Sequence, residues 1–236
     1  MAGLSVQFEQ HFALETMRAE EISTLYASND TVEKHPPKNT LDEFDRRSVY
    51  FGVRHRETGR VAASVRMILA DGAHMDEPFP IEVHPVLRRR ARDHVWRVPR
   101  QQLGQISRFT VAAEFRRRSD EALTMHGLTA NLLAAPDVSG KRNFPLVVYG
   151  LFKAIVTMST QHGIAYWYSM LDPTLVRLLA RFGVRFQPIG PVVDYRNARQ
   201  PCIAAADIVL SEIKFRRPEL WTFVTDDGLT LPMNRH

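Results

Sequence analysis

The chain has one cysteine, Cys202, among its 236 residues. A single cysteine excludes an internal disulfide and is typical of a protein kept in a reducing compartment. We interpret Cys202 as a small buried apolar residue rather than as a catalytic nucleophile.

Long apolar runs are also missing. No stretch approaches the roughly 18 apolar residues that a membrane-spanning helix needs. Residues 1–20 lack a basic region followed by an apolar one, which a signal peptide would require. We therefore expect a cytoplasmic protein without stable insertion into a membrane.

Several catalytic motifs are absent. The chain has no G-x-S-x-G turn, no phosphate-binding G-x-x-x-x-G-K and no G-x-G-x-x-G after a strand. Its 9 histidines are scattered, and none occurs in an H-E-x-x-H or another metal-binding spacing. We expect no bound metal or cofactor, and we interpret the most notable histidines as surface or structural residues: His84, His94 and His126.

The chain has an excess of positive charge, with a net charge of +5. Arginines concentrate in two clusters, Arg88, Arg89, Arg90, Arg92, Arg97 and Arg100, and then Arg116, Arg117 and Arg118. A basic surface attracts nucleic acid, anionic lipid or an acidic carrier protein, and the alternative is a purely solubilising surface. No known nucleic-acid-binding motif accompanies the clusters, so we expect no nucleic-acid partner.

Periodicity and turn signals predict a mixed α/β chain. The predicted strands are residues 49–55, 61–69, 105–113, 164–170 and 184–188, and the predicted helices are 12–27, 144–162 and 173–182. Residues 29–39 read as a loop, and residues 204–210 fit either a strand or the start of a helix. Antiparallel pairing comes first and α/β alternation later, which favours a mixed sheet with helices packed on it. We predict one domain over residues 1–236, with residues 212–236 as a possible loosely packed extension.

The strand at residues 105–113 carries Gln105, Ser107 and Arg108, and it runs into the triple arginine at 116–118. A strand that presents a hydroxyl and a cation before a basic turn suits a phosphate-bearing thioester. This combination is our first indication of an acyltransferase.

Two acidic residues and a second strand arginine extend this set. Asp42 and Asp45 share a face if their turn is helical, and they could then bind an acceptor ammonium; the alternative is a capped, solvated turn. Arg66 lies in an otherwise apolar strand, where an arginine usually has a carboxylate partner. We predict that Arg66 and Arg108 form one buried polar network with the two carboxylates.

These residues, taken in order, resemble a known family. The D-x-x-D of Asp42 and Asp45, the strand around Arg66 and the I-S-R-F-x-V strand resemble the autoinducer-synthase and N-acyl amino acid synthase branch of the GNAT superfamily. Within that branch, the arginines at 116–118 and the R-P-E-L-W segment from Arg217 are most similar to acyltransferases associated with PEP-CTERM/exosortase systems. The resemblance covers residues 40–228.

The resemblance implies a GNAT-type fold, in which two central parallel strands splay into a V that holds the pantetheine arm of a thioester. It implies a catalytic group of Gln105, Ser107 and Arg108, and a phosphopantetheine site at Arg116, Arg117 and Arg118. It further implies substrate-binding roles for Asp42, Asp45, Arg66, Thr110, Val111, Trp167 and Tyr168. The apolar acyl tunnel would be lined by a set of residues that also suits a plain core: Leu146, Val147, Leu151, Phe152, Ile155, Tyr166, Trp167 and Tyr168.

The implied activity is N-acyl transfer to an amino acid or related amine, with acyl carrier protein favoured over coenzyme A as the thioester donor. Two departures from the family pattern keep alternatives open. Gln105 stands where the family usually has glutamate, and an amide cannot serve as a general base. An N-terminal Arg/Phe/Trp pattern typical of acyl-homoserine-lactone synthases is not evident. A non-catalytic, acyl-carrier-binding or lipid-binding protein, a homoserine-lactone synthase and, on the arginine clusters alone, a nucleic-acid binder remain alternatives. The acceptor, the acyl length and the oligomeric state stay open.

Overall fold

The structure, a computed structural model, describes residues 3–28, 41–70, 72–83, 98–115, 144–181, 183–194 and 198–232. Several predictions concern segments and residues outside the described part of the chain: the loop expected at 29–39, the arginines at 88–97 and 116–118, and His84, His94 and His126.

Among the described residues, eight strands form one sheet in the order β1-β2-β3-β4-β5-β8-β6, and β7 pairs with β8. The strands are β1 Phe12–Met17, β2 Ser48–His55, β3 Val61–Leu69, β4 Leu103–Val111, β5 Tyr166–Leu171, β6 Gln187–Pro188, β7 Val193–Asp194 and β8 Ala198–Ala205. Within this part of the chain, β4 and β5 are parallel and the other neighbouring pairs are antiparallel. This is the predicted mixed sheet.

Helices cover both faces of the sheet. They are α1 Leu4–His11, α2 Ala19–Ser28, α3 Pro80–Val83, α4 Phe144–His162, α5 Pro173–Arg181, α6 Ala206–Arg216 and α7 Pro218–Thr225. One of the 3-10 turns, Asp45–Arg47, directly precedes β2. Within the described part of the chain, none of these helices combines the length and apolarity that crossing a membrane requires.

The side chains of β3 and β4 alternate between two cores, because successive residues of a strand point to opposite faces. Val65, Met67 and Ile106 pack with α4 in the larger core, on what we call the α4 face. Ile68 packs with Ile81 of α3 in a smaller core, on the α3 face. The register pairs Arg66 with Ser107 and Ile68 with Gln105, which places these polar side chains on the α3 face as well.

The local signals for several elements are confirmed. The β2–β3 hairpin turns at Gly59, whose φ of 67° lies in the left-handed region that glycine adopts without strain. Helix α4 occupies the predicted residues and is followed by Gly163 at φ 66°. Helix α5 begins after Asp172, whose Oδ1 accepts hydrogen bonds from the N–H groups of Thr174 at 2.6 Å and Leu175 at 3.3 Å.

We expect Asp172→Ala to lower the free energy of unfolding by about 1 kcal/mol, because it removes the N-cap of α5. Chemical denaturation followed by far-ultraviolet circular dichroism measures the change. Glu57→Ala, in the exposed β2–β3 turn, is the control and should leave stability nearly unchanged. Equal effects of the two substitutions would contradict the assigned cap.

Other expectations differ from the structure. The predicted helix over 12–27 is wrong in its first part, because residues 12–17 form β1 and pair with residues 50–55 of β2. A helical spacing of apolar residues is outweighed there by the pairing that the edge of β2 offers. The strand predicted over 184–188 shortens to Gln187–Pro188. Residues 198–205 form a strand and the helix starts only at Ala206, so residues 204–210 contain both alternatives.

The C-terminal helix α7 is packed rather than loose. Leu220, Phe223 and Val224 are buried in the larger core, against the same cluster as α4. Lys153 of α4 forms an ion pair with Asp226, and Arg217 donates a hydrogen bond to the buried Tyr149 hydroxyl at 3.4 Å. The packing of α7 therefore differs from the loosely packed extension that we expected over residues 212–236. The R-P-E-L-W segment, which begins this helix, packs against α4.

Candidate active site

The site begins with two strand residues on the α3 face. Arg66 of β3 lies opposite Ser107 of β4, and its Nε donates a hydrogen bond to the Ser107 Oγ at 2.8 Å. Only 5% of the Arg66 side chain is exposed. A guanidinium this deeply buried is stable only with carboxylate partners, so the site must supply them.

The carboxylates come from the turn before β2. The Asp45 N–H donates to the Asp42 carbonyl at 3.1 Å, and the Phe44 N–H donates to Asp42 Oδ1 at 3.0 Å. In return, the Asp42 N–H donates to Asp45 Oδ2 at 2.6 Å. These reciprocal bonds close a compact turn in which both carboxylates point to the same side, as the i, i+3 spacing predicts.

The two carboxylates bind both strand arginines. Arg66 Nη1 lies 2.7 Å from Asp42 Oδ1 and 2.6 Å from Asp45 Oδ1. Arg108 Nη2 lies 3.0 Å from Asp42 Oδ2, and Arg108 Nη1 lies 3.2 Å from Asp45 Oδ1. We call these four residues the arginine–aspartate network. The predicted polar network is confirmed as a set of contacts, and its role in binding substrate stays a prediction.

Sequence reasoning missed a fifth member, Tyr50 of β2. Its hydroxyl donates to Asp45 Oδ1 and accepts from Arg108 Nη1 at 3.3 Å. Tyr50 lies opposite Arg66 in the β2–β3 register. The sequence contains a signal for this placement. The predicted hairpin aligns β2 with β3, and the two-residue alternation of β2 then puts Tyr50 on the same face as Arg66.

The electrostatics of the network favour the charged forms of Asp45 and Arg66. Burial alone would raise the pKa of Asp45, but hydrogen bonds from Tyr50, the Asp42 N–H and Arg66, together with the charge of Arg108, hold it below its usual value. Burial would lower the pKa of Arg66, and the bonds to Asp42 and Asp45 reverse that effect and raise it. Burial and the contact with Asp45 raise the pKa of Tyr50, so its hydroxyl remains a donor at neutral pH. A carboxylate and a guanidinium whose charged forms are favoured suit binding better than proton transfer.

Arg108 lies at a backbone irregularity. The register jumps from Arg66–Ser107 to Ser64–Thr110, so β4 has one extra residue and forms a bulge there. Arg108 has a φ of 49°, an uncommon value for a residue with a Cβ. The bulge directs the Arg108 guanidinium toward the network, and its hydrogen bonds there help to hold the strained backbone.

The parallel strands β4 and β5 separate beside this bulge. Their pairing runs from Leu103–Tyr166 to Ile106–Ser169, although both strands continue, to Val111 and Leu171. The V-shaped splay implied by the resemblance is therefore present. Thr110 and Val111 lie on β4 beyond the last pair; Thr110 is half-buried, and Val111 belongs to the larger core.

Gln105 and Tyr168 lie together below the splay, outside the arginine–aspartate network. Gln105 is 3% exposed, and its Oε1 accepts a hydrogen bond from the Ile81 N–H of α3 at 3.0 Å. Tyr168 lies opposite Gln105 in the β4–β5 register and stacks edge-on against Phe79, with ring centroids 5.8 Å apart. Its hydroxyl is buried without a hydrogen-bond partner among the described residues, and burial raises its pKa.

Trp167 is not brought to the network. It lies on the α4 face, and its Nε1 donates to the Ser159 Oγ of α4 at 2.8 Å. Four other tunnel candidates are fully packed core residues of α4: Leu146, Val147, Leu151 and Ile155. Phe152 is half-buried and lies 6.1 Å, centroid to centroid, from Phe109, which follows Arg108 in the bulge. This aromatic pair is the apolar element of the candidate tunnel that lies beside the splay.

Within the part of the chain that the structure describes, no group of three or more histidine, cysteine or acidic side chains is arranged to hold a metal ion. Cys202 is buried in β8, and burial raises its thiol pKa to about 12. A thiol that remains protonated at neutral pH is a poor nucleophile, which agrees with its interpretation as an apolar residue.

Comparison with known proteins points to the same fold. A family model described as an acetyltransferase (GNAT) domain matches residues 24–126. No curated protein sequence matches the chain.

Three solved structures share the fold at low sequence identity. FeeM, an N-acyl amino acid synthase from uncultured soil microbes, is 13% identical with a TM-score of 0.58, over 85% of this chain and 93% of FeeM. TofI in an apo form is 15% identical with a TM-score of 0.52, over 88% of this chain and 99% of TofI. BjaI, a CoA-dependent acyl-homoserine lactone synthase solved with SAM and isopentyl-CoA, is 16% identical with a TM-score of 0.50, over 94% of this chain and 91% of BjaI. These likenesses show that the chain has a GNAT-type acyltransferase fold.

Proposed function

We propose that the chain is an N-acyltransferase that moves a fatty acyl group from a thioester to the amine of an amino acid or a related small amine. The observation that carries this proposal is the position of Arg108. It belongs to the arginine–aspartate network and also lies in the bulge of β4, just beyond Ile106, the last β4 residue that pairs with β5. A polar acceptor site and an opening for the donor therefore meet at one residue.

The network has capacity left for both charges of an amino acid. Asp42 is its most exposed member, with 39% of its side chain accessible, and can approach an ammonium group. Arg66 uses Nε and Nη1 for Ser107 and the two carboxylates, and among the described residues its Nη2 has no hydrogen-bond partner. A guanidinium nitrogen with unused donors suits an acceptor carboxylate.

The donor would enter through the splay. Backbone groups near Thr110 and Val111 are proposed to bind the pantetheine arm and to polarise the thioester carbonyl, and Arg116, Arg117 and Arg118 are proposed to bind its phosphate. The acyl chain would lie against the Phe109–Phe152 pair. Acyl carrier proteins are acidic, so the arginines at 88–100 favour acyl carrier protein over coenzyme A as the donor.

In the reaction, the bound ammonium first releases a proton to solvent, and the neutral amine then attacks the thioester carbonyl. A C–N bond forms, the C–S bond breaks, the thiol leaves with a proton and the amine nitrogen loses one. The main contribution of this site is to hold the two substrates together, because its charged groups are poor bases and Gln105 has no basic form near neutral pH. Gln105, Ser107 and Arg108 are proposed to orient the reacting groups.

The biological setting is also a proposal. The I-S-R-F strand and the R-P-E-L-W segment in combination support an association with PEP-CTERM/exosortase systems, and the single cysteine supports a cytoplasmic location. A second candidate function is a non-catalytic protein that binds an acyl carrier or lipid. The observation that favours it is Gln105, a neutral amide engaged with α3 where the family usually has glutamate.

We expect a bacterial host that expresses the chain to accumulate N-acylated amino acids and the Arg108→Ala variant to form at least about tenfold less. Loss of a charge-assisted hydrogen bond costs roughly 1.5–3 kcal/mol, which corresponds to about tenfold or more in rate. Mass spectrometry of lipid extracts measures the products, and their fragment ions identify the acceptor.

The matched control is Arg216→Ala, which removes an exposed arginine paired with Glu212 on α6, and it should leave product levels unchanged. Full product formation by the Arg108 variant would refute this site. If the unmutated chain forms no product and still binds acyl carrier protein, the non-catalytic alternative is favoured.

A further inference from the structure

A second buried arginine, Arg47, lies in the same 3-10 turn as Asp45, but its guanidinium donates hydrogen bonds to Leu69 and Pro78 rather than to the network. We propose that Arg47 is a positioning residue, which fixes Asp45 relative to Arg66 and thereby sets the affinity for the acceptor amine. This inference rests on the proposed function and assigns a role to a residue that no motif indicated.

The surroundings of Arg47 are unusual for a cation. Only 1% of its side chain is exposed, and its guanidinium carbon lies 5.4 Å from the ring centroid of Phe44 and 5.2 Å from that of Phe79. Its Nε is 3.5 Å from a Glu77 carboxylate oxygen but makes no hydrogen bond among the described residues. Burial lowers the pKa of Arg47, and the charge of Glu77 offsets this only in part.

The contacts of Arg47 connect the turn to two other parts of the site. Its Nη1 donates to the Leu69 carbonyl at 2.9 Å, and its Nη2 donates to the Pro78 carbonyl. Leu69 ends β3, the strand that carries Arg66, so the turn is anchored to the same strand that Asp45 binds through its carboxylate. Pro78 precedes α3, whose Ile81 binds Gln105.

The segment around Phe79 and α3, to which Arg47 bonds through Pro78, is itself held in place. Arg100 binds both Glu82 oxygens, at 3.0 and 2.8 Å, and lies 5.0 Å from the Phe79 ring centroid. Phe79 is therefore in contact with two guanidinium groups, from Arg47 and Arg100. Because the partners of Arg47 are held in place, its hydrogen bonds fix the position of the Asp45–Arg47 turn.

A purely stabilising role would not need a cation here. Replacing a whole buried ion pair by apolar side chains of similar volume is often neutral for stability, and Glu77, the carboxylate that would lose Arg47 here, is one-third exposed and still pairs with Arg46. What methionine cannot do is donate two directed hydrogen bonds to carbonyls on different elements. The geometry therefore points to placement of Asp45 as the function of Arg47.

The test compares Arg47→Met with Arg46→Met. Arg46 is in the same turn and pairs with the same Glu77, but 56% of its side chain is exposed. The substrates are a palmitoyl acyl carrier protein and the amino acid whose N-palmitoyl product the unmutated chain forms. We expect Arg47→Met to raise KM for the amino acid about tenfold, leave KM for the thioester unchanged and remain folded, whereas Arg46→Met changes neither constant.

A readout independent of turnover is the NMR signal of the Arg66 Nε–H, assigned by its absence in Arg66→Lys. We expect it to shift and to exchange faster with solvent in Arg47→Met but not in Arg46→Met. If the unmutated chain shows no turnover, the proposed function fails, and this signal still decides whether Arg47 positions the network.

An Arg66 signal and an amino acid KM that stay unchanged in Arg47→Met would overturn the proposal. If Arg47→Met does not fold, Arg47→Lys keeps the charge and loses the paired donors. A rise in the amino acid KM with the same shift of the Arg66 signal supports positioning, and activity that falls only with the folded fraction refutes it.

Discussion

Replacing Arg66 by methionine is expected to reduce acyl transfer by about 100-fold or more and to lower the free energy of unfolding by about 3 kcal/mol. The stability loss follows because removing one partner of a buried ion pair leaves the other charge uncompensated. Arg66 bonds to Ser107 and both carboxylates, and Asp45 would remain with only 11% of its side chain exposed. The activity loss follows because the variant also removes the proposed contact with the acceptor carboxylate.

The pH dependence of stability identifies the carboxylate that is affected. The pKa of Asp45 is lowered in the folded chain, so Asp45 stabilises the fold above its unfolded pKa. This contribution is lost as the pH falls through the folded pKa. In Arg66→Met the pKa of Asp45 in the folded chain is lowered less than in the unmutated chain. The difference in unfolding free energy between the two chains should therefore shrink toward acid pH. Urea unfolding at a series of pH values measures it.

Arg54→Met is the matched control, because Arg54 is also a strand arginine paired with a carboxylate, Glu15, but both side chains are about one-third exposed. Exposed pairs contribute at most about 1 kcal/mol, so this variant should remain stable and active. The double variant Arg66→Met with Asp45→Asn removes the uncompensated charge and should recover part of the lost stability. If Arg66→Met is no less stable than Arg54→Met, the network does not contain the buried ion pair described here.

The sequence predicts the hairpin, α4 and the cap of α5 because each depends on local chemistry. A glycine at positive φ, an apolar helical period and an Asp-Pro start act within a few residues, so they are visible without tertiary structure. β1 shows the converse. Its residues have a helical spacing of apolar side chains, and only pairing with β2 makes them a strand.

The candidate site likewise contains residues that the sequence predicts and residues that it does not. Arg66 and the two aspartates are predictable, because a buried strand arginine requires carboxylate partners and the i, i+3 spacing of Asp42 and Asp45 puts two carboxylates on one face of a turn. Arg47 is not, since its burial is created by Phe44 from its own turn and by Phe79, which is distant in sequence. The bulge at Arg108 also has no local signal, because a positive φ at an arginine is stabilised by contacts with Asp42, Asp45 and Tyr50 from other parts of the chain.

Gln105 is the residue at which the resemblance and the structure give different expectations. The family pattern places a glutamate there, as a candidate base, whereas the structure holds the amide oxygen on the Ile81 N–H with 3% of the residue exposed. A glutamate in that position would keep the acceptor oxygen and add a charge beside Ile81 and Tyr168, in the smaller core. The substitution therefore isolates the effect of the charge.

We expect Gln105→Glu to lower the free energy of unfolding by about 3 kcal/mol at pH 8 and to have little effect near pH 4. Burial disfavours the ionised carboxylate and raises its pKa in the folded state, while the unfolded value stays near 4.3. A group with a raised folded pKa loses stability as the pH rises from the unfolded pKa through the folded one, so the penalty grows with pH. Urea unfolding of both chains at each pH measures it.

Gln187→Glu on the exposed strand β6 is the matched control, and its stability should follow that of the unmutated chain at both pH values. Activity separates the two interpretations of Gln105. If the residue only orients and anchors, the glutamate variant gains no acyl transfer at any pH, because a carboxylate on the Ile81 N–H is not directed at an amine. A rate that rises with pH as the new carboxylate ionises would instead show that a side chain at position 105 reaches the acceptor. The fold would then accommodate a general base at this position, and the unmutated chain would work without one.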